Sequence, residues 1–228
     1  MMKGGVKNRK AVVLLSGGLD SATALYSAKK QGFKCYCLIF DYDQRHRKEI
    51  SCARRIAQKA GCNFKIIKIG LPWKASALLD YRIRIPAQRV KAKYNIPSTY
   101  VPARNIIFLS FGLSYAEAIG AQAVFIGAHT HDYSGYPDCR PEFFRAFGDV
   151  AACGTKSGVE KRKISIETPL IHKTKAAIVR LGRRLGVPFE LTWSCYHGKA
   201  NPCGTCDSCH YRAKGFKEAK LKDPLIKL

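Results

Sequence analysis

Short, nearly unbroken apolar runs recur along this chain at Ala11 to Leu15 (AVVLL), Lys34 to Phe40 (KCYCLIF), Phe64 to Ile69 (FKIIKI) and Ala123 to Ile126 (AVFI). Runs of that length without strict alternation predict strands buried on both faces of a sheet. Longer stretches of helical composition separate them. Ser21 to Gln31 predicts a helix stopped by Gly32, and Arg47 to Ala60 sets Ile50, Ala53, Ile56, Ala57 and Ala60 on one stripe before Gly61. Further helices are predicted over Ile106 to Ile119, Glu142 to Ala152 and Thr174 to Leu185, with Ser165 and Ile166 forming a short fifth strand. Strands and helices alternating at this spacing predict an α/β fold, an open parallel sheet with right-handed crossovers and helices on both faces.

Two stretches depart from the rhythm. Residues 70–98 contain Pro72, Pro86, Pro97 and several aromatics, which predicts an inserted connection forming a lid or part of an interface. The tail from Trp193 is cysteine-rich, then helical and basic. The expected division is an α/β domain over 1–190 and a small C-terminal segment over 191–228.

Composition narrows the setting. The apolar run after the N-terminal MMKGGVKNRK is five residues, shorter than the roughly 7–15 of a signal-peptide core. No stretch approaches the roughly 18 apolar residues of a membrane span, so a cytoplasmic protein with no membrane partner is expected. With 40 Lys+Arg against 16 Asp+Glu the net charge is +24, which favours anionic partners. The basic residues are dispersed, as on a solvated surface, so direct tRNA binding is open but not favoured.

The polar breaks between elements carry the chemistry. Ser16-Gly17-Gly18-Leu19-Asp20-Ser21 follows the first strand and opens the first helix. Glycines let backbone N–H groups turn towards an anion, and a helix N-terminus adds unpaired donors and partial positive charge. Ser16 and Ser21 add hydroxyls, and Asp20 is placed to orient a metal or an attacking amine. The Lys-Ser/Thr ending of a Walker A loop is missing, so this is a different kind of phosphate cradle.

In an open α/β sheet, ligands collect beyond the carboxyl ends of the strands. Three other polar loops should share that rim. In Asp41 to His46, Arg45 and His46 are candidates for phosphate contact, against a plain charged helix entry. In Thr99 to Asn105, Arg104 and Asn105 stand near a helix start and suit an anion and a base edge. Gly127 to Arg140 holds two histidines, two aspartates, two tyrosines and an arginine in fourteen residues. His129 and His131 there favour hydrogen bonding over metal. Asp132 and Asp138 suit magnesium or the N–H groups of a purine-like ring.

Four of the ten cysteines cluster late, as Cys195 and then Cys203, Cys206 and Cys209 in a C-x2-C-x2-C run. That pattern fits a closed all-cysteine Zn²⁺ site of structural role, with an iron–sulfur cluster and a redox pair as alternatives. The other six, Cys35, Cys37, Cys52, Cys62, Cys139 and Cys153, are expected to be buried thiols.

Together these loops resemble the 7-cyano-7-deazaguanine synthase (QueC) family of the PP-loop ATP pyrophosphatase superfamily, whose fold is adenine nucleotide alpha hydrolase-like. The strings are SGGLDSAT at Ser16, DYDQRH at Asp41, YVPARN at Tyr100, DYSGYPDCRPEF at Asp132, TPL at Thr168 with Lys175, and WSCY…CGTCDSC from Trp193 to Cys209. They cover nearly the whole chain in order. SGGxDS marks only the superfamily; YPDCR with the late cysteines is far more specific.

The resemblance implies a carbon–nitrogen ligase that makes a nitrile from 7-carboxy-7-deazaguanine, ammonia and ATP, a precursor of queuosine and archaeosine in tRNA. It implies ATP on Leu15, Ser16, Gly17, Gly18, Leu19, Asp20, Ser21, Ala22, Thr23, Ala24 and Leu25, with Arg45 and His46, and Mg²⁺ beside it. Asp20, Ser16 and Lys175 are the catalytic candidates, and zinc falls on Cys195, Cys203, Cys206 and Cys209. Arg104, Asn105, Asp132, Tyr136, Asp138 and Arg140 are candidates for the deazaguanine. A homodimer is also implied. Two departures stand out: Asp43 where the family usually carries Gly or Asn, and Ala128-His129 where Val-Asn is frequent. Rival readings are a tRNA-thiolating or otherwise tRNA-modifying PP-loop enzyme, a deazaguanine-transferring relative, and a zinc-bearing nucleic-acid binder without catalysis.

Overall fold

The strands are β1 (Lys10–Leu14), β2 (Lys34–Asp41), β3 (Asn63–Lys68), β4 (Ala123–Phe125) and β5 (Ser165–Glu167), joined into one sheet in the order β3-β2-β1-β4-β5. Every neighbouring pair is parallel. The computed structural model describes residues 9–86, 96–130 and 135–226. The helices are α1 (Leu19–Lys30), α2 (Lys48–Lys59), α3 (Arg104–Ile119), α4 (Pro141–Gly154), α5 (Lys156–Val159), α6 (Lys175–Leu185) and α7 (Asp207–Glu218). The expected α/β fold is therefore present, with every predicted strand in its place.

Side chains alternate across β1 and build two cores. Ala11, Val13 and Leu15 face α1, α2 and α6, while Val12 and Leu14 face α3 and α4. Burial of β1 on both faces explains its unbroken apolar run. The chain extends from β1 to β2 and β3 on one side, then crosses to β4 and β5 on the other. The carboxyl ends of β1 and β4 thus part at a topological switch point, where a crevice opens.

Two helices begin two residues earlier than composition predicts. α1 starts at Leu19, which puts Asp20 in its first turn. α3 starts at Arg104 because Ala103 turns left-handed, with φ 54°, and Asp138 Oδ2 accepts the Asn105 N–H at 3.1 Å. Within the loop before α4, Pro137–Cys139 forms a 3-10 turn that supplies Asp138.

The inserted connection is anchored to the body over its described parts. Leu71, Leu78 and Leu79 enter the α3–α4 core, and Ala77 donates its N–H to Ser98 O at 2.8 Å. The expectation of buried thiols holds for Cys35, Cys37 and Cys52, whereas Cys62 and Cys139 are half-buried and Cys153 is exposed near the end of α4.

The C-terminal segment is pinned by Arg212. Its guanidinium reaches Asp223 through Nε at 2.8 Å and Nη2 at 2.9 Å, Thr192 Oγ1 at 2.8 Å and the Phe189 carbonyl at 3.3 Å. No described helix is long and apolar enough to cross a membrane.

Candidate active site

The SGGLDS turn is held open by its own side chains. Ser16 and Ser21 share a hydrogen bond at 3.0 Å, Ser21 Oγ donates to Gly18 O, and the Gly18 N–H donates to Ser16 Oγ. Gly17 adopts φ +86°, and a Cβ there would lie 2.2 Å from the Glu49 carbonyl oxygen, so only glycine lets α2 approach. The tail closes over the same turn through the Trp193 N–H, which donates to Gly17 O at 2.9 Å. Lys48 Nζ lies 3.7 Å above the Trp193 ring.

Three residues from distant segments meet beside the turn. Lys175, at the start of α6, places Nζ 3.0 and 2.9 Å from the two carboxylate oxygens of Asp20 and 2.8 Å from His129 Nε2. An ammonium group only donates, so His129 Nε2 accepts. The Lys175 side chain is enclosed by α7, where a Cβ on Gly215 would lie 2.3 Å from Lys175 Cγ. Burial pushes the Asp20 carboxyl up, but the Lys175 cation, which donates to both of its oxygens, more than offsets this. Asp20 therefore stays well below the usual carboxylate range while keeping 28% of its side chain exposed. The arrangement is an ionised carboxylate and an ammonium at the mouth of an anion cradle.

Around them lies a crevice of about 250 Å³ at the switch point. Leu15, Ser16, Gly18, Leu19, Asp20, Ser21, His46, Arg104, Asn105, Tyr136 and Lys175 all line it. On the far wall Arg104 Nη1 donates to Tyr42 Oη at 3.3 Å, Phe40 stacks on Phe108 at 3.9 Å, and Tyr136 Oη meets Thr99 Oγ1 at 2.8 Å. That wall combines flat rings with one guanidinium and suits a planar, anionic ring system.

Other candidates stand elsewhere. Ala22, Ala24 and Leu25 are fully buried beneath the turn and Thr23 with them, so they support it from the core and do not line the crevice. Gly17 is enclosed against α2. His46 faces the crevice, but its Nε2 is 3.2 Å from Glu49 Oε2. Arg45, its neighbour, lines a separate cavity. Asp138 lies behind Asn105, whose side-chain amide donates to Asp138 O at 2.9 Å and to Cys139 Sγ at 3.3 Å. Arg140 is exposed and off the crevice wall. Asp132 and His131 lie outside the described residues.

Sequence reasoning missed Tyr42, Phe108 and Cys139 as crevice residues and set His129 aside as a hydrogen bonder. Tyr42 sits inside DYDQRH and Cys139 inside YPDCR, so the motifs held them. Phe108 had no signal, because on α3 it reads as ordinary core.

The late cysteines form a second centre. Their four Sγ atoms lie within 4.8 Å of one another, with Cys203 and Cys209 at 3.9 Å. Four sulfurs about 2.3 Å from one Zn²⁺ stand close to that spacing, so the donor set fits a tetrahedral thiolate site. Cys203 Sγ accepts N–H groups from Thr205 and Cys206, and Cys195 Sγ accepts the Cys203 N–H. The Cys206 and Cys209 thiols, with backbone N–H groups of Cys203 and His197, hold the Cys195 thiol well below its usual range. Cys52, Ala77, Ile85 and Trp193 pack around the cluster, tying it to α2 and the inserted connection.

Residues 10–220 match the family model described as queuosine biosynthesis protein QueC. The chain belongs to this QueC family. It is 54% identical over 220 residues to a 7-cyano-7-deazaguanine synthase from Trichormus variabilis, covering 95% of this chain and 97% of that protein. It is 50% identical over 218 residues to one from Thermoplasma volcanium, covering 95% and 90%. Among solved structures it resembles the NMN synthetase of Francisella tularensis, with TM-score 0.52, 16% identity, and coverage of 95% of this chain and 79% of that one. A 4-thiouridine synthetase–RNA complex with bound ATP gives TM-score 0.52 and 20% identity, covering 93% and 50%. At those identities the two structures speak for the fold alone.

Asp43, singled out in the sequence, has a physical reading. Asp43 adopts φ 60°, the left-handed region that Gly and Asn enter most easily and Asp tolerates. Its exposed carboxyl group stands on that turn.

Proposed function

We propose that this chain is a carbon–nitrogen ligase, a 7-cyano-7-deazaguanine synthase, converting 7-carboxy-7-deazaguanine and ammonia to the nitrile with ATP. The observation that carries this reading is the single crevice in which the SGGLDS cradle, the Lys175–Asp20 pair and the Arg104–Tyr136 wall face one space.

A carboxylate is a poor electrophile, so its oxygen first attacks the α-phosphorus of ATP and pyrophosphate leaves. Ammonia then displaces AMP and forms the amide. The amide oxygen is adenylated in turn, again releasing pyrophosphate. Loss of AMP and the remaining N–H protons yields the nitrile. Ser16, the turn N–H groups and Lys175 hold the departing pyrophosphate, with donors aimed where charge develops. Asp20 keeps Lys175 in place and is the acceptor for an incoming amine or a ligand for Mg²⁺. Mg²⁺, when bound, offsets phosphate charge. Arg104 takes the carboxylate, and Tyr136 and Phe108 flank the ring.

Cys195, Cys203, Cys206 and Cys209 hold one Zn²⁺, closed and structural, in a C-terminal segment over 191–228 attached to a nucleotide-binding domain over 1–190. The protein acts in the cytoplasm as a homodimer, on small molecules, for queuosine or archaeosine precursors.

Purified protein incubated with 7-carboxy-7-deazaguanine, an ammonium salt and Mg-ATP should release AMP and pyrophosphate. The deazaguanine should change to the mass of its nitrile by mass spectrometry. An unchanged deazaguanine mass with the folded, metal-loaded protein would sink the proposal.

A further inference from the structure

Arg45 and His46 are consecutive, yet they face different spaces. His46 borders the crevice, whereas Arg45 lines an open cavity of about 420 Å³ with Tyr81, Arg82, Arg84, Ile85, His197 and Thr205. Three of these seven residues are arginines, and none carries a carboxylate. The cavity lies between the inserted connection, which supplies Tyr81 to Ile85, and the cysteine segment, which supplies His197 and Thr205.

The arginines differ in what they have left to offer. Arg82 is spent on Asp80, through Nε at 3.0 Å and Nη2 at 2.7 Å. Arg45 and Arg84 have no carboxylate partner among the described residues. The Arg45 guanidinium lies 4.6 Å above the Tyr81 ring, and its backbone is tied to Leu78 O at 3.0 Å. Its Nε is buried without a hydrogen-bond partner. A guanidinium stacked on a ring keeps its edge donors for a planar or tetrahedral oxyanion, which it grips through two parallel bonds.

We propose that this cavity is a second anion site that binds a phosphate group through Arg45 and Arg84, separate from the SGGLDS cradle. Its occupant is either free phosphate or pyrophosphate, or a backbone phosphate of RNA; the chemistry of recognition is the same. The proposal is independent of the ligase reading.

Arginine Nε–Hε resonances of the full-length, metal-loaded protein report on the site directly. The Arg45 signal is assigned with Arg45→Lys. Inorganic phosphate and pyrophosphate should shift that signal saturably. Arg84→Gln, at an exposed position, should weaken the response about tenfold while leaving the melting temperature unchanged, and Arg84→Lys should weaken it less. A tRNA transcript titrated in parallel identifies the source. RNA affinity reduced by Arg84→Gln assigns the site to a nucleic-acid phosphate; RNA affinity unaffected, with phosphate binding reduced, assigns it to the free anion. If phosphate leaves the Arg45 signal unmoved and RNA affinity is the same with and without Arg84→Gln, or if Arg84→Gln changes neither, the proposal fails.

Discussion

Lys175 Nζ donates to both oxygens of Asp20, at 3.0 and 2.9 Å, across 155 residues of sequence. Asp20 opens α1 after the glycine turn, and Lys175 opens α6 after the Thr174 cap. Two helix N-termini and one ammonium therefore converge on the same crevice, which concentrates positive potential where a pyrophosphate would depart.

Lys175→Met should remove that donor while retaining the stem that fills the space beside Gly215. AMP release should fall by roughly 10²- to 10³-fold, as for loss of one preorganised donor to developing charge. Retention of activity within about threefold, measured on protein with an unchanged melting profile, would remove Lys175 from the machinery.

Cys206→Ala should abolish a stoichiometry of about one zinc per chain and lower the melting temperature markedly. Metal analysis and a thermal scan of the same preparation test this. Iron and visible absorbance in the wild-type protein would instead assign the site to a cluster.

Arg212→Met should destabilise the chain by about 3–5 kcal/mol, because it strands a buried carboxylate. The side chains of Arg212 and Asp223 are only 6% and 4% exposed. A double variant, Arg212→Met with Asp223→Leu, should recover much of the loss, and denaturant midpoints of the three proteins read the effect. Equal destabilisation by single and double variants would contradict the stranded-charge account.

Asp138 carries a pH signature. Burial pushes its carboxyl up, and the Asn105 N–H and the Arg104 cation pull it back only in part. A raised carboxyl binds its proton more tightly in the folded state, so its contribution is greatest below the unfolded value of about 4 and declines as pH rises towards the folded one. Asp138→Asn keeps an oxygen acceptor and removes the titration. The stability of the wild type relative to this variant should therefore drop as pH is raised from about 4, in urea midpoints at successive pH values. Parallel curves would rule the linkage out.

Much of the architecture was legible because it is written in local pattern. The strands are short apolar runs, and Gly32, Gly61, Gly120 and Gly186 stop helices at left-handed φ. Starts were harder to read. The first turn of α3 depends on Asp138, a residue 33 positions away, accepting the Asn105 N–H. The site was legible where a motif holds several residues at once, as in SGGLDS and the cysteine run. It was not legible for Phe108 on α3 or for the separate outlooks of Arg45 and His46.

The sequence by itself determined the parallel α/β scaffold, the glycine cradle and the four-sulfur cluster, because each depends on neighbours within a few residues and on the periods of strand and helix. Only the tertiary structure decided that Lys175 and His129 meet Asp20, that Arg45 turns away from the crevice and that Arg140 stands outside it. Those placements depend on which strand ends adjoin at the switch point and on how the tail packs over the first loop. Such contacts are long-range, and no local pattern encodes them.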